Sequence, residues 1–475
     1  MTVSLPEAPV PGTPPQAPPT TAPRGLDWPR RFAFASPDVG LALFFVSLNS
    51  WLLYFLINVV ELPPALAGVA FLIGRLFDAV LDPIVGHWSD RTRPRMGRMP
   101  PIRWALLPAG LLYVAMWVLP VSVAGTAAAF VLATLGFMAF SFAFTLLAIP
   151  RHALLPDLVP DYDARTQQVS LNMVFVFVAV FAAIAVTPGL VIALSGVEEL
   201  AATPAWAWVA VAGMVALVAS VAFVPFLRAI PDVTGGEAAA PAGFARELRT
   251  LFATPGYGRI LLIFLLTVLA TLTVQAMTPF YLESYLGVPG PAQPPILGGI
   301  FALSILSFPL WGWLGTRWGK ARGLLAGIGI YCVFLALVPF MPREGVTPVF
   351  VVACLFAGLG VSAINLFPWA MLPDAVDMDA ATHGHPREGL VYAVFAFTQK
   401  TAGSIAVFWN AIMLAVFDHR AGQAVQSEET LAAFVWMTGP VPLLVLLVAG
   451  LIALRYPITR EAQAAARNAR GTRHA

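Results

Sequence analysis

Two aspartates four residues apart, Asp78 and Asp82, follow Arg75 in the stretch GRLFDAVLDP at positions 74–83, with apolar sequence on both sides. On a helix this spacing puts both carboxylates on one face, about 5–6 Å apart. Two ionised carboxylates so close in an apolar medium repel, and they need a cation or must share a proton. A hard monovalent ion takes oxygen ligands. Pro83 adds one, because it has no N–H and releases the carbonyl of Ala79, and Pro150 does the same for Leu146. With the hydroxyl of Thr145, the set suits sodium, with Asp78 and Asp82 as the metal ligands; a shared proton fits nearly as well. A second basic group, Lys400 in FTQKTAGS, also lies within apolar sequence. It is placed to replace the cation electrostatically when the site is empty, which would couple ion occupancy to motion. Arg75, one turn before Asp78, joins that coupling network or forms a structural ion pair.

These residues must be held at depth in a bilayer. The 475-residue chain is 59% hydrophobic and 11% charged, whereas soluble proteins carry about 25% charged residues. The net charge of +2 argues against nucleic-acid binding. Cys332 and Cys354 both sit in apolar runs and read as small core residues. Apolar runs of about 20 residues each span a bilayer as helices. Twelve such runs fall near 38–60, 64–88, 103–121, 125–150, 168–195, 205–227, 257–284, 296–315, 323–341, 347–371, 389–416 and 430–454. They do not alternate with period two, so an all-α membrane protein is expected rather than a barrel.

With the N-terminus placed in the cytoplasm, 23 of the 27 basic residues fall in cytoplasmic segments and only Arg343 and Arg420 on the other side. This bias puts both termini inside the cell, across its inner membrane. Residues 1–36 read as a disordered, proline-rich tail without a signal peptide, 228–256 as a cytoplasmic linker, and 456–475 as a second tail. The linker separates six-helix bundles at 37–227 and 257–455. An internal repeat agrees with that division. GHWSDRTRPRMGR after helix 2 matches GWLGTRWGKAR after helix 8, and ALLPDLVPDYDA after helix 4 matches AMLPDAVDMDA after helix 10. Parallel halves of this kind meet around a midplane site and rock against each other. The loop residues Gly86, Asp90, Arg91, Arg95, Gly97 and Arg98 read as a cytoplasmic latch that holds the outward-open state. Asp157, Asp374, Asp377, Arg387 and Glu388 read as further loop-to-helix ties in the same gate.

Substrate-facing candidates are Asn49, Tyr54, Asn58, Asn172, Gln275, Asn365, Trp369 and Gln399. Aromatic rings beside amides suit a sugar, and they suit an amphiphile's head group equally well. His152, next to Arg151, reads as structural. Zinc, nucleotide and Ser-His-Asp constellations are missing from the sequence, so neither an enzyme nor a cofactor is expected.

The repeated loop motifs resemble the signature of the major facilitator superfamily. GRLFDAVLDPIVGHWSDRTRPRMGR, MLPDAVDMDAATHGHPREG and Lys400 are similar to the glycoside–pentoside–hexuronide:cation symporter family, to which melibiose permease belongs. The resemblance implies twelve helices in two bundles, working as a monomer by alternating access. It implies that Asp78 and Asp82 bind the coupling cation with help from Thr145, and that Lys400 belongs to the same network. The implied partners are a small-molecule solute, a coupling cation (Na+ or H+) and the lipid bilayer. The implied cargo is a sugar or glycoside. Two departures bear on that cargo. The family's sugar carriers place a carboxylate on helix 4 where Ala148 stands, and commonly an arginine on helix 5 where Asn172 stands. Animal lysophospholipid carriers keep the helix 2 motif without that carboxylate. A lysolipid or other amphiphile is thus the alternative cargo, and a non-transporting membrane receptor or assembly factor is a further alternative.

Overall fold

The computed structural model describes residues 26–465 except 124, 160, 198–202, 234–243, 289–292, 384–386, 418–425, 459 and 464. The described residues are helical, without strands. A short helix, Trp28–Ala35, opens the described chain, with the Asp27 carboxylate accepting from the Arg30 N–H. Twelve long segments follow: α1 Pro37–Asn58, α2 Pro64–Met96, α3 Met99–Val118, α4 Thr126–Ala153, α5 Tyr162–Phe181 and α6 Ala205–Ala222, then α7 Tyr257–Phe280, α8 Gln293–Trp318, α9 Lys320–Leu337, α10 Pro348–His383, α11 Glu388–Val416 and α12 Glu428–Thr438. Helix α5 runs on through a π-helical turn, Ala182–Val186, into Thr187–Ser195, and α12 continues as Pro440–Leu454 after a break at Gly439.

Eleven of the described helices are long and apolar enough to cross a membrane. The remaining long segment is α2, whose apolar run Arg75, Asp78 and Asp82 interrupt. Those charges face inward. Asp78 and Asp82 are 4% and 2% exposed, whereas Leu72, Leu76, Val80 and Ile84, spaced four apart, are all more than half exposed. Helix α2 is therefore apolar on its outer stripe and charged on its inner one, as a helix must be when its charges line an interface in lipid.

Its 33 residues span about 50 Å, well beyond an apolar core of about 30 Å. The excess carries the loop motif out of the membrane. Helix α10 does the same with 36 residues, so Asp374, Asp377 and Asp379 belong to its helical end rather than to a loop.

Helix α2 packs against α4 in its own half and α11 in the other, and α8 packs against α10 and, across the halves, α5. The halves thus meet along two related seams. Three expected irregular segments turn out helical. Trp28–Ala35 ends the proline-rich tail early, Phe244–Phe252 occupies part of the linker, and residues 460–463 continue as a helical turn after α12. In each case ion pairs or hydrogen bonds to the bundle hold the segment. Residues 1–25, 234–243 and 466–475 of the expected tails and linker lie outside the described residues.

Candidate functional site

At the middle of the α2–α11 seam, the Lys400 ammonium lies 2.7 Å from Asp78 Oδ2 and 2.7 Å from Asp82 Oδ2. From α4, Thr145 Oγ1 donates to Asp82 Oδ1 at 3.1 Å. The i,i+4 spacing puts both carboxylates on the inner face, and α11 brings the lysine between them. Asp78 Oδ1 is buried and has no hydrogen-bond partner among the described residues. A buried charge needs pairing, and the ammonium supplies it to both acids at once. Carboxylate oxygens are also the ligand type that a small hard cation takes.

Arg75 is one turn away and outside this triad. Its guanidinium lies 5.5 Å from the Phe45 ring and 5.3 Å from the Phe71 ring. It lines a small cleft with Asn49, Asp78, Phe137 and Phe144, among others.

The latch residues assemble on the face that carries both described ends of the chain. Gly86 of α2 and Gly389 of α11 are in backbone contact: a Cβ on either would stand 2.4–2.5 Å from the other's carbonyl oxygen. This approach lets the Asp90 carboxylate cap α11, accepting from Gly389 N at 2.7 Å and Leu390 N at 2.8 Å. Arg98 then joins Asp90 (2.9 Å) to Glu388 (3.0 Å), and Arg93 joins Glu388 (3.0 Å) to Asp157 (2.9 Å). Burial pulls the Arg98 pKa down, but Asp90, Glu388 and Asp157 outweigh it, and the guanidinium stands above its ordinary value. Gly97, at φ 74°, turns the chain, and Asp232 caps α3 by accepting from Arg98 N and Met99 N.

The second seam repeats the design with different chemistry. A Cβ on Gly312 of α8 would meet Ser170 of α5 at 2.8 Å. Lys320 Nζ pairs with Asp374 at 2.7 Å and Arg165 with Asp377 at 2.6 Å. Thr316 stands where the first repeat has Asp90. Arg387 pairs with Asp379 and also donates to Glu247 O and Thr250 Oγ1 of the linker helix.

One expected latch residue differs. Arg95 is exposed and enters no ion pair among the described residues; the ion-pairing role belongs to Arg93, two positions earlier. Arg91 is exposed as well. Arg98→Ala is expected to cost about 3–5 kcal/mol of stability by stranding buried Asp90 and Glu388, whereas Arg95→Ala leaves the thermal midpoint unchanged. Thermal unfolding in detergent checks both.

The substrate candidates do not form one cluster. Asn49 reaches the Arg75 cleft, while its Nδ2 donates to Phe45 O. Asn58 and Asn365 donate to the carbonyls one turn back, Tyr54 O and Val361 O. Asn172 is buried and accepts from Gln168, so it serves packing within α5. Tyr54 packs on Trp51 and Trp208. Trp369 packs against His152, Phe264 and Phe395, which brings His152 into contact across the halves. Gln275 is exposed and Gln399 half-buried. Arg93, Arg165, Lys320, Asp379 and Gly389 also take part in these contacts, beyond the residues expected from the sequence. Lys320 had a signal, since it completes the Gly-basic pair of the second repeat.

A family model described as MFS/sugar transport protein matches residues 33–460. The chain is 24% identical to an uncharacterized symporter of Synechocystis sp., over 92% of this chain and 95% of the relative. It is 27% identical to the sodium-dependent lysophosphatidylcholine symporter 1-A of Danio rerio, over 87% and 83%. It is 25% identical to a sphingosine-1-phosphate transporter of Mus musculus, over 84% and 83%. Among solved structures, a bacterial homologue of the iron transporter ferroportin in its outward-facing state matches with a TM-score of 0.66 at 16% identity, covering 90% of this chain and 99% of that one.

Proposed function

We propose that this chain, which belongs to the MFS/sugar transport protein family and is a symporter of the major facilitator fold, couples inward sodium flow to import of a lysolipid-type amphiphile by alternating access. The observation that carries the coupling is the Asp78–Lys400–Asp82 triad. Sodium displaces the ammonium from the two carboxylates, taking oxygens from Asp78, Asp82 and Thr145. Lys400, released, alters the α2–α11 seam on which the latch depends. The face that carries the latch is the cytoplasmic one, consistent with the basic residues concentrated there.

The cargo assignment rests on the relatives named for lysophosphatidylcholine and sphingosine-1-phosphate and on two residues. Ala148 is apolar where sugar carriers of the resembled family hold a carboxylate, and Asn172, where they commonly hold an arginine, is a neutral amide whose Oδ1 accepts from Gln168. For a glycoside the family description speaks, but the sugar-handling groups that the resemblance requires are not in place.

The test is uptake into proteoliposomes. Labelled lysophosphatidylcholine is expected to accumulate under an inward sodium gradient and not when potassium replaces sodium, with labelled melibiose excluded in both. Sodium-independent lysolipid uptake would overturn the coupling, and sodium-driven melibiose uptake would restore the sugar.

A further inference from the structure

The Arg75 guanidinium has no carboxylate within 4 Å and no hydrogen-bond acceptor among the described residues. It is half-buried, lies near the Phe45 and Phe71 rings, and lines a cleft with Asp78 and Asn49, whose Oδ1 atoms are buried without a hydrogen-bond partner among the described residues. An arginine in lipid normally finds a partner, because leaving it unpaired is costly. Asp78 is one turn away but is taken by Lys400.

The charges around this point constrain what the missing partner is. Asp78, Asp82, Lys400 and Arg75 sum to zero. Adding sodium raises the group to +1. An anion bound at Arg75 restores neutrality, and without sodium the same anion would face Asp78 and be repelled. Each ligand therefore favours the other, and this reciprocal coupling is what symport requires. Guanidinium geometry suits a phosphate through two parallel hydrogen bonds.

We infer that the Arg75 guanidinium donates to an anionic phosphate on the cargo, and that this contact, together with sodium at Asp78, selects phosphate-bearing amphiphiles over neutral ones. This rests on the reading of the chain as a sodium-coupled amphiphile symporter.

The experiment follows sodium-driven uptake of labelled lysophosphatidylglycerol in proteoliposomes, with unlabelled monooleoylglycerol as competitor. Labelled glycerol 3-phosphate and melibiose are followed in separate arms. The expected result is uptake that monooleoylglycerol does not compete. Arg75→Gln raises KM about a hundred-fold, as loss of two charge-assisted hydrogen bonds implies, and Arg75→Lys raises it less because it keeps the charge without the fork. Sodium-induced thermal stabilisation of Arg75→Gln in the absence of cargo, as in the wild type, shows that its fold and ion site are intact. A wild-type KM in Arg75→Gln, or competition by monooleoylglycerol equal to that of the phospholipid, overturns the inference. Arg75-dependent uptake of glycerol 3-phosphate without lysolipid uptake keeps the phosphate contact and overturns the amphiphile cargo alone. Uptake of melibiose only, or of nothing, overturns both.

Discussion

Asp82→Asn is expected to weaken sodium binding about a thousand-fold and to abolish sodium-driven uptake while leaving the protein folded. Asp82 is 2% exposed and is held by Lys400 at 2.7 Å and Thr145 at 3.1 Å. The amide keeps its size but removes one unit of negative charge. At 4 Å and an effective dielectric of 20, that charge is worth about 4 kcal/mol to a monovalent cation, or about three decades of affinity. The Lys400 ammonium still has Asp78, so the seam keeps one ion pair. Lys400→Met is expected to act in the opposite direction. It removes the competitor, tightens sodium binding and stalls transport, because nothing then returns the carboxylates to a paired state without sodium. Sodium titration of thermal stability in detergent reads both variants. An unchanged sodium affinity in Asp82→Asn would place the ion elsewhere.

Gly389→Val is expected to cut transport at least tenfold by holding the latch face open. A Cβ at Gly389 would stand 2.4 Å from Gly86 O and 2.8 Å from Asp90 Oδ1. These are backbone and buried-carboxylate atoms, so α2 and α11 must separate. Separation breaks the two bonds from Asp90 to the α11 N-terminus. Bonds to charged groups contribute about 1.5–3 kcal/mol each, so losing both shifts the open–closed balance by about a hundred-fold or more. Gly86→Val carries the same expectation, from a Cβ 2.5 Å from Gly389 O. Thiol labelling of a cysteine introduced at Ser89, buried beneath Arg98, reads the opening: both variants label faster than the parent. Equal labelling would show that the seam closes without the Gly86–Gly389 contact.

Much of this architecture is present in the order of residues alone. Apolar runs of bilayer length specify a helical membrane protein, and the repeat at Gly86 and Gly312 is the reason to expect two related parts. Lipid imposes this, since a buried backbone there has few ways to satisfy its hydrogen bonds. The pair Asp78 and Asp82 was legible for a related reason: two acids on one helix face inside an apolar run need a common counter-charge. What only the tertiary structure decided is which cation belongs to which acid. Lys400 is more than 300 residues from Asp78, and helix packing alone brings it between the carboxylates while leaving Arg75, three residues away, outside. The same holds for the latch, where Arg93 and not Arg95 faces inward and where Asp90 finds the end of α11. Spacing along a chain orients a side chain about its own helix; its partner depends on how two helices approach, and here glycines at Gly86 and Gly389 set that distance.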